Sequence, residues 1–365
     1  MNTKTAASRM PRKPIPVVSL FCGPGGMDLG FRRQGFVPLV AIDDNQSALD
    51  TYNRNHAGKI AVKIDIRKIS NVEIVKLVKQ ASRGIAPRGV IGGPPCQSFS
   101  LGNVNKRYDD PRAGLGQEYA RVLKALNDEF RLDFFVFENV MGLRGPRHKR
   151  RLNLILKALK AAGFNLFEQG LDASAFGVPQ NRRRLFIVGI SNIRFPSVSL
   201  KYPQGSTSSP RSVLETLGHL PPPTFFRKNL DRRRIPVHPN HWAMNPRSKK
   251  FSTGEGFNGR SFRKLEWQKP SWTVAYGNRE VHVHPDGTRR LSVFEAMLLQ
   301  GFPNTYELRG TLSDQFSQVS DAVPPPLAAA VAKAIRQAVY SPIEQPQSTM
   351  SKTISARARA RELGH

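Results

Sequence analysis

Short apolar runs recur along the chain, and most of them end at a glycine or an acidic residue. The runs that predict strands are residues 17–20, 40–42, 61–64, 90–91, 134–137 and 185–189. Helical spacing of apolar residues follows over residues 71–80, 117–127, 152–162, 291–299 and 327–339. Strands that alternate with helices are typical of an α/β fold with a mainly parallel sheet.

The first three strands each place a polar group or a glycine turn at their carboxyl ends. Residues 17–20 lead into Gly23-x-Gly25-Gly26, and the next two strands end at Asp43 and Asp65. Ligands of open α/β sheets bind beyond these ends, and an acid after the second strand is placed to bind ribose hydroxyls. Alternatively, Asp43 belongs to the cap of a helix that follows. Because no phosphate-binding loop or metal-ligand spacing is present, the pocket is predicted to hold an adenosine without a polyphosphate.

One cysteine stands in a stiff loop after the fourth strand. The loop is Gly92-Gly93-Pro94-Pro95-Cys96-Gln97-Ser98-Phe99-Ser100. Two glycines permit close backbone approach and two prolines stiffen the turn, so the thiol of Cys96 can be held still as a nucleophile. The simpler interpretation is a small buried hydrophobic residue.

Two further stretches leave their roles open. Glu138 follows four apolar residues, and is either the exposed end of a strand or a buried acid with a function. Residues 102–115 are polar and long for a connection, which predicts a mobile functional loop.

The composition narrows the class of protein. The chain has 365 residues, with 56 Lys and Arg against 27 Asp and Glu, so its formal net charge is +29. Such an imbalance predicts a polyanionic partner, and nucleic acid is favoured over an anionic membrane surface. The two cysteines argue against a disulfide-built secreted domain, residues 1–16 lack the apolar core of a secretory signal, and no apolar run spans a bilayer.

Taken together, the motifs resemble those of the DNA (cytosine-5)-methyltransferase family. In family order they are residues 20–26, Asp43, Asp65-Ile66, Pro94-Pro95-Cys96-Gln97, Phe137-Glu138-Asn139-Val140, Gln180-Asn181-Arg182-Arg183-Arg184, Gln300-Gly301-Phe302-Pro303 and Ala322-Val323-Pro324-Pro325. The resemblance leaves mainly residues 195–270 uncovered. It implies a Rossmann-like methyltransferase fold, α/β with a mainly parallel sheet, plus a small irregular target-recognition domain.

The resemblance also implies a covalent mechanism on a cytosine flipped out of the duplex. Cys96 would add to carbon 6 of the base, and Glu138, protonated because it is buried, would bind the N3 and N4 edge. Arg182 would contact O2, Arg184 would hold the loop around the site, and residues 102–115 would close over the base.

For the cofactor, the resemblance implies S-adenosyl-L-methionine. Its expected contacts are Phe21, Gly23, Gly25, Gly26, Asp43, Asp65 and Ile66. The sequence departs from the family at Ser19, where Asp is usual, at Asp43, where Glu is usual, and at Ser320-Asp321, where Gly-Asn is usual.

Two basic regions remain. Residues 144–160 carry seven Lys or Arg and no acid, which favours phosphate contact over a merely solvated helix face. Residues 191–289 carry 17 Lys or Arg against 6 Asp or Glu, with interleaved aromatic residues, which fits a surface that reads DNA. Arg247 and Arg260 are candidate readers of guanine. His282-x-His284 is more typical of a strand face than of a metal site, because no further ligands are apparent.

The predicted organisation is a disordered basic arm (1–14), a catalytic and cofactor-binding domain (15–190), a target-recognition domain (191–289), a return to the catalytic domain (290–340) and a disordered tail (341–365). Expected partners are double-stranded DNA and a cognate restriction endonuclease acting on the same site, with no membrane. The protein is expected to be monomeric, cytoplasmic and nucleoid-associated. A tRNA cytosine-5 methyltransferase and a catalytically inactive DNA-binding relative are the alternatives.

Overall fold

Seven strands form one sheet that is covered on both faces. The computed structural model describes residues 13–95, 114–206, 210–259, 261–273 and 281–341, so most of the predicted arm, loop and tail lie outside the described residues. The strands are β1 (Ile15–Leu20), β2 (Phe36–Asp43), β3 (Ala61–Lys63), β4 (Gly89–Gly92), β5 (Phe134–Val140), β6 (Phe164–Asp172) and β7 (Arg183–Ser191). Their order is β3-β2-β1-β4-β5-β7-β6, and β7 runs in the direction opposite to the other six strands. The predicted mainly parallel α/β sheet is confirmed.

Helices lie on both faces of this sheet. The helices are α1 (Gly26–Arg32), α2 (Gln46–Asn55), α3 (Asn71–Ser82), α4 (Leu115–Phe130), α5 (Lys149–Ala161), α6 (Val213–Leu217), α7 (Lys250–Thr253), α8 (Val293–Leu299), α9 (Leu312–Asp321) and α10 (Pro325–Tyr340). One core contains side chains of α3, α4 and α5 with Phe135 and Phe137, and the opposite core contains α1 and α10 with Phe134 and Val136. Alternate residues of β5 therefore face different layers, and this explains its continuous apolar run.

The last helix packs on the first one, as its alanine-rich face predicts. A Cβ on Gly30 would lie 2.5 Å from the Cβ of Ala328, so glycine is required for this close approach between α1 and α10. With α10, the chain therefore returns to the sheet, on the face that α1 also covers.

Two features of the sheet differ from the sequence-based expectation. β6 has no counterpart among the predicted strands, because it lies at the sheet edge and most of its side chains are only partly buried. β5 continues past Phe137 to Val140, because β7 pairs with it over that whole length. Glu138 is consequently part of a strand and not of an exposed strand end.

Within residues 191–289, the described elements are short. They include α6, α7, β8 (Thr224–Phe225), β9 (Trp242–Ala243), β10 (Asn258–Gly259), β11 (Phe262–Lys264) and β12 (His282–Val283). β8 and β9 form one small sheet, and the other three strands form a second. Across the described ranges, no helix has the length and apolar character needed to cross a membrane.

Candidate active site

The turn that follows β1 depends on glycine for its backbone shape. Gly23 and Gly25 have φ of 51° and 91°, and even Phe21 adopts a φ of 52°. A Cβ on Gly23 would meet no atom within 4 Å, so the backbone is open there. The turn lies at the carboxyl end of β1, where ligands of α/β sheets bind. The backbone of the turn is therefore accessible to a ligand, and its positive φ angles favour glycine.

At the end of β2, Asn45 and not Asp43 caps the helix that follows. The Asn45 side chain accepts a hydrogen bond from Ala48 N and caps α2. Asp43 instead accepts hydrogen bonds of 2.9 Å from the backbone N–H groups of Gly23 and Asn45. Burial raises the pKa of the Asp43 carboxyl. The acid thus joins the end of β2 to the glycine turn.

Asp65 and Ile66 follow β3. The Arg67 guanidinium donates two hydrogen bonds to Asp65, of 2.8 and 2.7 Å, and this pairing lowers the pKa of Asp65. Ile66 is buried in the core. The third strand is therefore followed by an acid, which an exposed arginine holds, and then by a buried aliphatic residue.

Glu138 is a buried carboxyl with an arginine beside it. Its side chain is 10% exposed, and Arg184 Nε lies 3.1 Å from Glu138 Oε1. A Cβ on Gly93 would lie 2.6 Å from Glu138 Oε2, so Gly93 leaves the space that the other oxygen occupies. We call Gly93, Glu138 and Arg184 the Glu138 pocket. Burial raises the pKa of Glu138, against the opposing effects of Arg184 and Arg182.

Asn139 connects the Glu138 strand with the proline turn. Its side-chain amide donates to the carbonyl of Pro94 at 3.2 Å, and its Oδ1 accepts from Val140 N. The proline turn is thereby held beside the Glu138 pocket. Cys96 follows directly after Pro95 but, with residues 97–113, lies outside the described residues.

Arg182 has a different environment from Arg184. It is 1% exposed, and its Nη2 donates to the carbonyls of Ser320 and Ala322 at 2.6 and 3.1 Å. Gln300 donates to the same Ala322 carbonyl at 2.6 Å. The arginine motif is therefore joined through Arg182 to the returning C-terminal segment, whereas Arg184 contacts Glu138.

Sequence reasoning missed a buried polar group beneath the glycine turn. Asp28, in the first turn of α1, accepts hydrogen bonds from Ser19 and Tyr52. The sequence signal was an acid among apolar helix residues, but its partners come from other elements. At the paired histidines, His284 contacts Asp286 at 2.9 Å, and no group suited to hold a metal ion occurs among the described residues.

Comparisons with known proteins agree on one family. The family model described as C-5 cytosine-specific DNA methylase matches residues 15–337. Type II methyltransferase M.FnuDI of Fusobacterium nucleatum is 32% identical, over 93% of this chain and 99% of that protein. Type II methyltransferase M.NmeDI of Neisseria meningitidis serogroup C is 30% identical, over 87% of this chain and 82% of that protein.

Solved structures show the same fold at lower identity. One is a crystal structure described as a DNA modification methyltransferase encoded within an E. coli prophage. It has a TM-score of 0.71 at 20% identity, and the match covers 90% of this chain and 100% of that one. The Dnmt2 methyltransferase of S. pombe has a TM-score of 0.60 at 17% identity, over 88% and 98% of the two chains.

Proposed function

The chain belongs to the C-5 cytosine-specific DNA methylase family and is a DNA cytosine-5 methyltransferase, and we propose that Cys96, Glu138 and Arg184 act directly on the cytosine. The observation that carries the proposal is the buried Glu138 carboxyl, bordered by Arg184 and tied through Asn139 to the turn that precedes Cys96. Arg182 is proposed as the residue that positions this group.

Cys96 is proposed as the nucleophile. Its thiolate forms a bond to carbon 6 of the cytosine, and the electron pair of the 5,6 double bond becomes available at carbon 5. Once carbon 5 has taken up the methyl group that the donor would supply, with the pair of the broken bond left on the donor's sulfur, loss of the carbon-5 proton and cleavage of the Cys96 sulfur–carbon bond restore the aromatic ring and the thiolate. Because carbon 6 is inaccessible within a stacked duplex, the base must be flipped out to reach the thiol.

Glu138 and Arg184 are proposed to bind the Watson–Crick edge of the flipped base. A Glu138 that keeps its proton can donate to N3 and accept from the N4 amino group, and burial favours the protonated form. O2 lies next to N3 on this edge, so the cation nearest to Glu138 is best placed to contact O2. That cation is Arg184, and the contacts thus favour the reverse of the division of roles between Arg182 and Arg184 expected from the sequence.

The chain's residues fit an adenosine-containing methyl donor. Methyltransferases of this fold generally use S-adenosylmethionine, which supplies a methyl group made electrophilic by its sulfonium. A Cβ on Gly23 would meet no atom within 4 Å, and this open space supports a donor site above the turn. Asp43 is proposed to accept from the ribose hydroxyls, Asp65 from the adenine amino group, and Phe21, Gly25, Gly26 and Ile66 to enclose the rest.

The substrate is DNA, and we propose which surfaces hold the duplex. Residues 191–289 are proposed to read bases, with exposed Arg247 as a candidate reader; Arg260 lies outside the described residues. We define the basic patch as the exposed residues Arg144, Arg147, Lys149 and Arg150, which follow β5 and begin α5. Three bases and no acid begin α5, although a helix N-terminus favours negative charge, so phosphate binding gives these residues a function.

Trapping with 5-fluorocytosine tests the mechanism. Bisulfite sequencing of DNA from expressing cells first identifies the methylated sequence. Duplex DNA with 5-fluorocytosine at that position should form a stable adduct, because fluorine cannot leave as a proton. Cys96→Ala should form no adduct while retaining DNA binding, and an adduct in that variant would overturn the assignment. Methylation of tRNA in place of duplex DNA would support the RNA-directed alternative.

The finer biological setting is also a proposal. Because both named relatives are Type II methyltransferases, we propose a cognate restriction endonuclease that cuts the same site. Methylated DNA that remains sensitive to every endonuclease of the host would contradict this. We further propose a cytoplasmic, nucleoid-associated monomer, which sedimentation and imaging of the tagged protein can test.

A further inference from the structure

The glycine turn is supported from beneath by a tyrosine that comes from the far end of the chain. The Tyr306 hydroxyl donates a hydrogen bond to the carbonyl of Pro24, in the middle of the turn. His56 Nε2 lies 3.1 Å from the same hydroxyl. Since the Tyr306 proton is directed to Pro24, His56 is the donor to Tyr306, in its Nε2–H tautomer. Both side chains are buried.

The contact between the turn and these side chains is close enough to require glycine at position 25. A Cβ there would lie 2.4 Å from His56 Nε2, 2.9 Å from Tyr306 Oη and 3.0 Å from Tyr52 Cδ2. The backbone of the turn therefore packs directly against the side chains of His56, Tyr306 and Tyr52. Gly25 also has a φ of 91°, so the same residue type satisfies the packing and the backbone shape.

The support continues from these rings to the start of α1. Tyr52 stacks on His56 with ring centroids 4.1 Å apart, and its hydroxyl donates to Asp28 Oδ1 at 2.9 Å. Ser19 donates to Asp28 Oδ2 at 3.0 Å. We call the connected side chains Ser19, Asp28, Tyr52, His56 and Tyr306 the underside network.

Tyr306 is itself held in place by α2. The Asn55 side chain donates to Glu307 O at 2.8 Å and accepts from Glu307 N at 2.9 Å, as a neighbouring strand would. Thr51 accepts from Arg309 N at 2.8 Å and donates to Gln318 at 2.6 Å. The segment that follows the Gln300–Pro303 motif is thus bound to α2, which carries Tyr52 and is directly followed by His56.

We propose that Tyr306 and His56 are positioning residues that hold the glycine turn in its ligand-binding shape before the methyl donor arrives. The inference rests on the proposed cofactor site. Three residues of the turn have positive φ, a shape that persists only where the surroundings enforce it. A turn already held in that shape spares the donor the free-energy cost of ordering it, so the underside network raises affinity without touching the ligand.

Removal of one hydroxyl tests the proposal. Tyr306→Phe keeps the ring but leaves the Pro24 carbonyl without its donor. Binding of S-adenosylmethionine to the full chain, measured by calorimetry without DNA, should weaken by about fivefold to tenfold, the effect expected from losing one buried hydrogen bond. His56→Leu should weaken binding in the same direction.

Tyr340→Phe is the matched control. It removes a partly buried tyrosine hydrogen bond, of 2.8 Å to Asp133, from the same C-terminal part of the chain. Asp133 directly precedes β5 and thus lies at the amino end of the sheet, away from the turn. Tyr340→Phe should lower the melting temperature and leave the Kd for the donor unchanged.

The outcomes distinguish a failure of the proposed cofactor site from a failure of the proposed positioning role. A native chain that does not bind S-adenosylmethionine contradicts the proposed cofactor site. A native chain that binds, with a Tyr306→Phe variant of equal Kd and lower melting temperature, shows a purely structural tyrosine and overturns the inference. Equal weakening by Tyr340→Phe overturns it as well, because the effect would then follow general stability.

Discussion

Gly93→Ala should slow the enzyme by moving one carboxylate oxygen. The new Cβ would lie 2.6 Å from Glu138 Oε2, which is 0.8 Å closer than the 3.4 Å at which ordinary contact begins. The backbone itself can accept alanine, because Gly93 is not among the glycines with positive φ. The collision is therefore with the carboxylate, which is confined by burial and by Arg184.

The size of the effect follows from this displacement. A misplacement of about 1 Å in a reacting geometry costs on the order of 100-fold in rate, so we expect kcat to fall by about 10- to 100-fold. An off-rotamer Glu138 costs about 1 kcal/mol of stability, which leaves the fold intact. Affinity for S-adenosylmethionine should not change, because the glycine turn is untouched.

Steady-state transfer of labelled methyl groups to duplex DNA measures kcat, and Ile193→Ala is the control. Ile193 is 78% exposed and follows β7 at the end of the sheet where β5 begins, away from Glu138, so that variant should retain the native rate. A native kcat in Gly93→Ala would refute the argument.

A double-mutant cycle separates the carboxylate from the neighbouring proline turn. Glu138→Asp withdraws the carboxylate by one methylene and relieves the collision with the new Cβ. If Gly93→Ala acts through Glu138, its effect should shrink in the Glu138→Asp background, with a coupling of about 1–2 kcal/mol. Equal effects in both backgrounds would show that the variant acts through Pro94 and Pro95 instead.

Three further predictions address charge. Burial raises the pKa of Asp28 from 3.8 to about 6, so the native state binds the extra proton. The stability of the native protein relative to Asp28→Asn should therefore fall by about 2 kcal/mol as the pH rises from 4 to 6, and urea unfolding that shows no such change would contradict this. Glutamine at all four positions of the basic patch should reduce the slope of log affinity for DNA against log salt by about 2–4, whereas Lys157→Gln should change it by less than about 1. Arg184→Gln removes a cation that lowers the pKa of Glu138. The variant should be slower, and the alkaline limb of its pH profile of kcat/KM should lie at higher pH. An unmoved limb would argue against a protonated Glu138.

Local sequence was sufficient for most of the sheet and for the motifs around the site. Strands buried on both faces have continuous apolar runs, and the residues after them lie at the carboxyl edge of the sheet wherever the strands are parallel. This is why Asp43, Asp65 and Glu138 could be identified from their positions after such runs. β6 escaped prediction because a partly buried edge strand has no such run.

Only the tertiary structure distinguished the surroundings of the two arginines in the Gln180–Arg184 motif. Arg182 and Arg184 are equally basic and two residues apart, so the sequence offers no reason to pair either with Glu138. The antiparallel pairing of β5 with β7 brings Val140 opposite Arg184 and places its guanidinium at Glu138. Arg182 precedes β7 and meets the carbonyls of the C-terminal return instead.

By itself, the sequence determined the fold class, the family and the polar residues that follow each strand. These depend on local apolar periodicity and on short motifs. Only the tertiary structure decided that Glu138 is buried and that Asn45, not Asp43, caps α2. It also decided that Tyr306 supports a turn 282 residues earlier in the chain. The physical reason is that burial and hydrogen-bond partnership are properties of side chains from distant segments, and no local pattern specifies which segments meet.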